Sequence, residues 1–574
     1  MTILKRCLFI SGLLLLSLTN AYSAPPPDAG TLLREQQTPR KPLPDRLPET
    51  DETRTEPATQ ADTGATVLVK GFTFRGIDGM ATEAELQALL QDAIGLKMDI
   101  KGLRQLATKV TAYLRSKGFF LARAWLPKQD VTSGMVQISV IGGRIEGIRM
   151  QIRDPHRISA STLNGIAGAD LKKDLALREQ QLERALMLMN DLPGITARAT
   201  LERGKTYGTT NVLIDANEGP LLTGAISADN FGNRYTGAWR GTGSISVNDP
   251  LGIGDQLSLL LTGSEGLFQG RAAYSIPIGR SGLKGFVSYT GLYYELGKEY
   301  ESLNAYGHAN NIGAGLTYPI IRSRNFSLWS NLNYEYRMLD DFASGAISRD
   351  RDIHSGTFDL SANSYDRFGG GGLSSLRLAI TAGDLKLGVA ADAQTDAATA
   401  KSTGSYFKFN YTAARLQRIV NNLALFLSAS GQLAGGNLDS SEKFILGGPN
   451  GIRSYPVGEG VGDEGHGLTA ELRYDIPFKS VIGDLQLVGF FDTGNVTVHK
   501  DNNWANSVNS ATGRNNYWLS ASGLGFNLTK TARYALRATW AHAIDSNPGR
   551  STSGKNADNY AEDNRFWLQA TAWF

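Results

Sequence analysis

From about residue 220 onward the chain is written in a period of two. Phe326, Leu328, Leu332, Tyr334 and Tyr336 fall on one side of an extended strand, and Ser327, Asn331, Asn333, Glu335 and Arg337 on the other. Leu257, Leu259 and Leu261 oppose Gln256, Ser258 and Thr262 in the same way, and Tyr534, Leu536, Ala538 and Trp540 oppose Arg533, Arg537 and Thr539. One apolar face and one polar face, in segments of about ten residues, describe strands with lipid outside and water inside. About 355 residues at about 22 per strand and turn give on the order of sixteen antiparallel strands, a transmembrane β-barrel over residues 219–574. Tyr274-Ser275-Ile276-Pro277, Tyr318-Pro319-Ile320 and Tyr474-Asp475-Ile476-Pro477 recur where strands meet short turns, and suit an aromatic girdle at the membrane interface. Phe566, Leu568, Ala570, Ala572 and Phe574 share one face of a last strand.

A barrel in a bacterial envelope needs an export address. Lys5 and Arg6, an apolar run from Leu8 to Leu18, and Ala21-Tyr22-Ser23 form a secretory signal over residues 1–23, cut after Ser23 or, alternatively, after Ala24. An uncleaved anchor is the other reading, but the run is short for a bilayer. The only cysteine, Cys7, precedes the apolar run, so the mature chain is expected to carry no disulfide and no thiol chemistry. A net charge of +3 with scattered basic residues gives no reason to expect nucleic acid as a partner.

Between signal and barrel the texture is different. Residues 24–37 contain a short helical piece, Asp28 to Gln37, too short to persist alone in water and therefore expected to dock on something. Its Leu32 and Leu33 give an apolar side, and Arg34 and Glu35 suit a polar wall. Residues 38–66, with Pro39, Pro42, Pro44, Pro48 and Pro57, read as a disordered linker. Residues 67–144 read as β-α-α-β-β: a strand from Val67 to Phe74, a Thr82/Glu85 capping box, a helix through Leu86, Leu89, Leu90 and Ala93, and a second through Leu103, Leu106, Val110, Tyr113 and Leu114 that stops at Gly118. Strands Phe119 to Leu126 and Met135 to Ile141 follow. Residues 145–218 repeat the pattern. A strand runs from Ile145 to Ile152, Leu175, Leu182, Ala185, Leu186 and Met189 line a long helix, and Asp191-Leu192-Pro193-Gly194-Ile195 starts the next strand.

Reactive chemistry is hard to find. The six histidines are far apart, with no metal-ligand spacing, and no phosphate-cradling loop or Ser/His/Asp arrangement is evident, so no enzyme activity, cofactor or metal is expected. Gly369 to Gly372 reads as a surface turn. One pair of motifs differs. Ile452-Arg453-Ser454-Tyr455 follows the Gly-rich stretch Leu446-Gly447-Gly448-Pro449-Asn450-Gly451, in a loop of residues 434–465 long enough to fold into the barrel. In Leu485 to Gly494, Asp492 shares parity with Gln486, Val488 and Phe490 and points into the lumen, with Gly494 closing the motif. Gly523 and Gly525, on the lumen face of the next strand, remove side chains where a loop could approach closely. Arg453 could then fork onto Asp492, or remain a solvated loop arginine.

The order of these pieces resembles the outer-membrane transporters of two-partner secretion, the TpsB family of haemolysin secretion/activation proteins (ShlB, FhaC and HecB type) in the POTRA-barrel superfamily. Gly118-Phe119-Phe120-Leu121-Ala122 with Pro127-Lys128-Gln129 is similar to a first POTRA domain, and Asp191 to Ile195 to a second. The resemblance implies that the piece around Leu32–Glu35 is a plug helix and that the loop tip at Arg453 contacts the Phe490-Asp492-Gly494 strand. The family tip usually has glycine after the arginine; here it is Ser454. It further implies export of a large β-rich exoprotein of haemolysin or adhesin type, held by its N-terminal secretion domain. Outer-membrane lipid and lipopolysaccharide would surround the barrel, and periplasmic chaperones and the barrel-assembly machinery would assist biogenesis. A barrel insertase of the same superfamily is the alternative.

Overall fold

The computed structural model describes residues 26–37, 43–47, 66–478 and 480–574. The signal segment and most of the linker lie outside the described residues.

The first small unit opens on Gly71–Arg75, which lies parallel to Met135–Ile141, itself antiparallel to Arg123–Trp125. Helices α2 (Glu83–Leu90) and α3 (Ile100–Ser116) cover the sheet with Leu86, Leu90, Leu103, Val110 and Leu114. Thr82 and Glu85 cap α2 reciprocally. The strand expected from Val67 to Phe74 is broken. Val67–Leu68 pairs instead with Lys97–Met98, and the chain changes partner where Lys70 donates to the Gly134 carbonyl. The strand expected over Phe119 to Leu126 shrinks to three residues, because Gly118 (φ 90°) turns the chain and drops Phe119 and Ala122 into the core.

The second unit has Arg144–Ile152 parallel to the central strand Thr209–Glu218, with Ile195–Arg203 antiparallel on the other side. It carries helices α4 (Ala160–Asp170) and α5 (Glu179–Asn190). Leu175 is not on the long helix as expected. It is 53% exposed and precedes α5, which starts only at Glu179. The two units are joined tightly: the Arg178 guanidinium sits 4.7 Å over the Phe119 ring, and the Glu179 amide donates to the Gly118 carbonyl.

Sixteen antiparallel strands then close into a barrel, from Leu222–Asp229 to Asn564–Trp573. The period-two reading sorts the two faces. Leu332, Tyr334, Leu472, Leu487 and Phe491 are among the large apolar side chains left exposed outside, whereas Arg337, Arg351, Asp359, Arg473 and Asp492 are buried in the lumen. A helix absent from the sequence reading, α6 (Ala390–Ala398), sits in the loop after Gly372–Leu387. Residues 249–255, 279–282 and 323–325 form the turns facing the second unit. There the Arg322 guanidinium grips Asp191 at 2.7 and 2.8 Å, Lys284 donates to the Asp191 carbonyl, and Arg184 donates to the carbonyls of Pro319 and Ser281. This end of the barrel therefore carries the α+β arm.

Candidate functional site in the barrel lumen

The loop between Leu423–Ala434 and Glu464–Asp475 folds inward. Leu446, Ile452 and Tyr455 are buried against Val496, Leu519 and Ala521 of the barrel wall. Gly494 makes this approach possible, since a Cβ there would lie 2.5 Å from Leu446 Cδ1. At the tip, Arg453 Nε and Nη2 donate to the two Asp492 oxygens at 2.7 and 2.8 Å, and Nη1 donates to Glu471 at 2.8 Å. Its guanidinium lies 3.4 Å over the centre of the Phe490 ring, and its carbonyl accepts from the Trp567 indole at 2.7 Å. Arg453 is 5% exposed and Asp492 0%, so the pair is held out of water with a planar fork on one side and a ring face on the other.

Ser454 is fully buried, and its hydroxyl has no hydrogen-bond partner among the described residues. The next residue, Tyr455, donates to the Asp545 carbonyl and ties the tip to the loop before the last strand. Gly523 and Gly525 do not meet the loop. A Cβ at Gly523 would strike Phe490 at 2.4 Å and the Trp540 carbonyl at 2.1 Å, and one at Gly525 would crowd Ala538 and Thr539. Gly523 therefore makes room for the ring under Arg453.

Helix α1 (Ala29–Gln37) lies inside the barrel. Leu32 and Leu33 are buried against Tyr235, Leu267, Leu292 and Tyr300; burial of such side chains stabilises by about 1.5–3 kcal/mol each, which supplies what a nine-residue helix lacks in water. Asp28 caps the helix through the Thr31 amide and receives Arg349, Arg351 and Ser440. Arg34 donates to the Lys443 carbonyl, and Glu35 accepts from Asn233. Helix and inward loop thus touch each other as well as the wall.

Sequence reasoning missed two things here. Glu471 and Arg473 lie at lumen parity on the strand beside Asp492, and Glu471 joins the two arginines: one oxygen accepts from Arg453, the other from Arg473 at 2.9 Å. Charged residues two apart on a barrel strand were the available signal. The second is a correction: residues 43–47 of the linker, expected to be disordered, are seated against the wall, with Leu43 packed on Leu416 and Phe426 and Arg46 paired with Asp475 at 2.7 Å. Among the described residues no group of histidine, cysteine or carboxylate side chains is arranged to hold a metal.

A sixteen-strand barrel with an α+β arm at one mouth, and a helix and a charge-pinned loop inside it, defines a POTRA-barrel transporter. The family model for haemolysin secretion/activation proteins ShlB/FhaC/HecB matches residues 208–516, and that for the ShlB-type POTRA domain matches residues 67–143; the chain belongs to this family. It is 29% identical over 505 residues to the heme/hemopexin transporter protein HuxB of Haemophilus influenzae (strain 86-028NP), covering 85% of this chain and 84% of that one. It is 23% identical to the outer membrane transporter CdiB of Escherichia coli O6:K15:H31, covering 77% and 74% of the two chains. The solved structure of CdiB from Escherichia coli matches the fold with a TM-score of 0.73 at 19% identity, over 91% of this chain and 93% of that one. The protein is thus an outer-membrane transporter of two-partner secretion with its POTRA domains in the periplasm, and it exports a partner exoprotein; family membership favours this over the insertase reading.

Proposed function

We propose that the periplasmic arm selects the exoprotein through its N-terminal secretion domain and that the lumen passes it as an extended chain, without any catalytic step. The observation that carries this reading is the seated helix α1. It fills the lumen through side-chain contacts, and Leu32, Leu33 and Asp28 can leave those contacts without any barrel strand unpairing. Capture by the arm is supported by its sheet edges. Gly71–Arg75 and Arg123–Trp125 flank one sheet, Arg144–Ile152 and Ile195–Arg203 the other; Gln87, Thr111, residues 174–175 and Asn190 bond these strands at Phe72, Ala124, Ile145 and Ala197, and the rest of an edge takes an extended chain by strand addition. The Arg453–Asp492 contact holds the inward loop in one position while cargo moves past it. Folding of the β-rich exoprotein outside then biases movement outward with no nucleotide.

Lipopolysaccharide and phospholipid around the apolar belt, and chaperones with the assembly machinery during insertion, complete the proposed partners. The test is binding in solution. Residues 25–220 as a separate fragment are expected to bind the N-terminal region of the exoprotein at micromolar concentration. A well-folded fragment that does not bind at high micromolar concentration moves recognition to the barrel.

A further inference from the structure

Residues 43–47, Leu-Pro-Asp-Arg-Leu, lie along the lumen wall at its periplasmic end, and the wall treats them as a ligand. Leu43 is 8% exposed, with Leu416 and Phe426 beneath it, both essentially inaccessible. The backbone is read as well. Arg473 Nη1 donates to the carbonyls of Pro44 and Asp45 at 3.2 and 3.3 Å, and Gln486 donates to the Asp45 carbonyl at 3.2 Å. Arg46 is gripped by Asp475 at 2.7 Å and Asp484 at 3.2 Å, and the Asp45 carboxylate accepts from Arg537 at 2.5 Å. Arg473 is itself fixed, 1% exposed, stacked 4.1 Å over Phe426 and hydrogen-bonded to Glu471. Donors held this way before a peptide arrives lose little freedom when it binds.

We propose that this stretch of wall is a binding site for extended polypeptide, occupied at rest by the chain's own linker and taken over by the exoprotein during export. The proposal rests on the transport reading above. An apolar pocket, side-chain donors to backbone carbonyls and a paired-carboxylate cradle suit an unfolded chain that presents an aliphatic residue and a basic residue at short spacing. Two carbonyl contacts make the site tolerant of sequence. The same wall residue that holds the peptide, Arg473, shares Glu471 with Arg453, so the occupant touches the hydrogen-bond network that pins the inward loop. The linker is then a competitor carried in cis, and cargo must displace it to pass.

Site-specific photo-crosslinking tests this in the full-length transporter. A photoreactive residue replaces Ala424, which packs at the edge of the Leu43 pocket, and a second variant carries it at Asn410, higher on the lumen wall. Without exoprotein, position 424 is expected to crosslink to residues 43–47. With exoprotein stalled in the barrel by a folded C-terminal fusion, the linker crosslink at 424 is expected to fall at least five-fold and an exoprotein crosslink to replace it. Exoprotein captured at 410 with the linker still captured at 424 at its resting yield overturns the site alone. Exoprotein captured at neither position overturns lumen passage itself. In a binding assay, a labelled peptide of residues 40–50 is expected to bind at least ten-fold more tightly to a transporter carrying Leu43→Asp with Arg46→Glu than to the unmodified one. Adding Asp475→Asn with Asp484→Asn should remove that gain. Equal binding to all three overturns occupancy by the linker.

Discussion

Arg453 does three things at once in a buried site. It forks onto Asp492, reaches Glu471 and lies flat on Phe490. Arg453→Ala strands the buried Asp492 carboxylate while Glu471 keeps Arg473, and breaking a buried pair this way costs about 3–5 kcal/mol. The expected outcome is a barrel that still inserts, because its strand pairing is untouched, but that secretes poorly; heat-modifiability on gels and exoprotein in the medium measure the two separately. Arg453→Lys is not expected to rescue, since an ammonium has neither the fork nor the plane. Ser454 gives the opposite sign. Its buried hydroxyl lacks a partner among the described residues, so Ser454→Ala is expected to gain about 1 kcal/mol, read as a higher temperature for the heat-modifiability transition. Asp492 was legible in the sequence because strand parity fixes its direction. Glu471 and Arg473 were as legible by parity, but no motif drew attention to them. The role expected for Gly523 failed because a missing side chain reports only that something comes close: here that is Phe490.

At the scale of elements, α1 owes its existence to its seat. Gly30 illustrates this: a Cβ there would lie 2.5 Å from the Ser440 hydroxyl and 2.9 Å from the Ser441 amide. Gly30→Leu improves intrinsic helix propensity by about 0.8–1 kcal/mol yet is expected to unseat the helix. Conductance in planar bilayers should rise for Gly30→Leu, and rise more for deletion of residues 25–38. Unchanged conductance in the deletion means that the inward loop closes the pore unaided. The sequence announced the helix and its need for a dock, since a nine-residue amphipathic segment is not stable alone. It did not announce the seat of residues 43–47. That stretch has no periodicity, and its partner Arg473 lies 429 residues from Pro44, so only the closed barrel brings them together. Loss of Leu175 from α5 has a local reason: the regular hydrophobic spacing ran on past the true start at Glu179 into an exposed bend.

For the whole molecule, the proposed division of capture to the arm and passage to the barrel makes the angle between them matter. That joint combines Leu188 and Leu192 set against the turns at Gly282 and Gly254, a Ser159–Gly252 backbone hydrogen bond, and a polar contact. Arg322 grips both oxygens of Asp191, while Lys284 and Arg184 bond to backbone carbonyls on either side of the joint. The residue that ends α5 is therefore also the one the barrel holds. Asp191→Ala leaves the Arg322 guanidinium without its carboxylate, while the backbone contacts of Lys284 and Arg184, both sheets of the arm and every barrel strand remain intact. The expected result is an arm that binds the exoprotein as before in the isolated fragment of residues 25–220, in a full-length transporter that exports it several-fold more slowly. Spin labels at Lys173 on the arm and Arg367 on a distant barrel turn should show a broadened distance distribution in Asp191→Ala. Arg322→Ala should reproduce it, whereas Arg324→Ala should not, since that side chain is 78% exposed and its ion pair with Glu183 is 3.7 Å long. A distribution as narrow as that of the unmodified protein, with export still slowed, would mean that Asp191 acts on cargo directly and not through the joint.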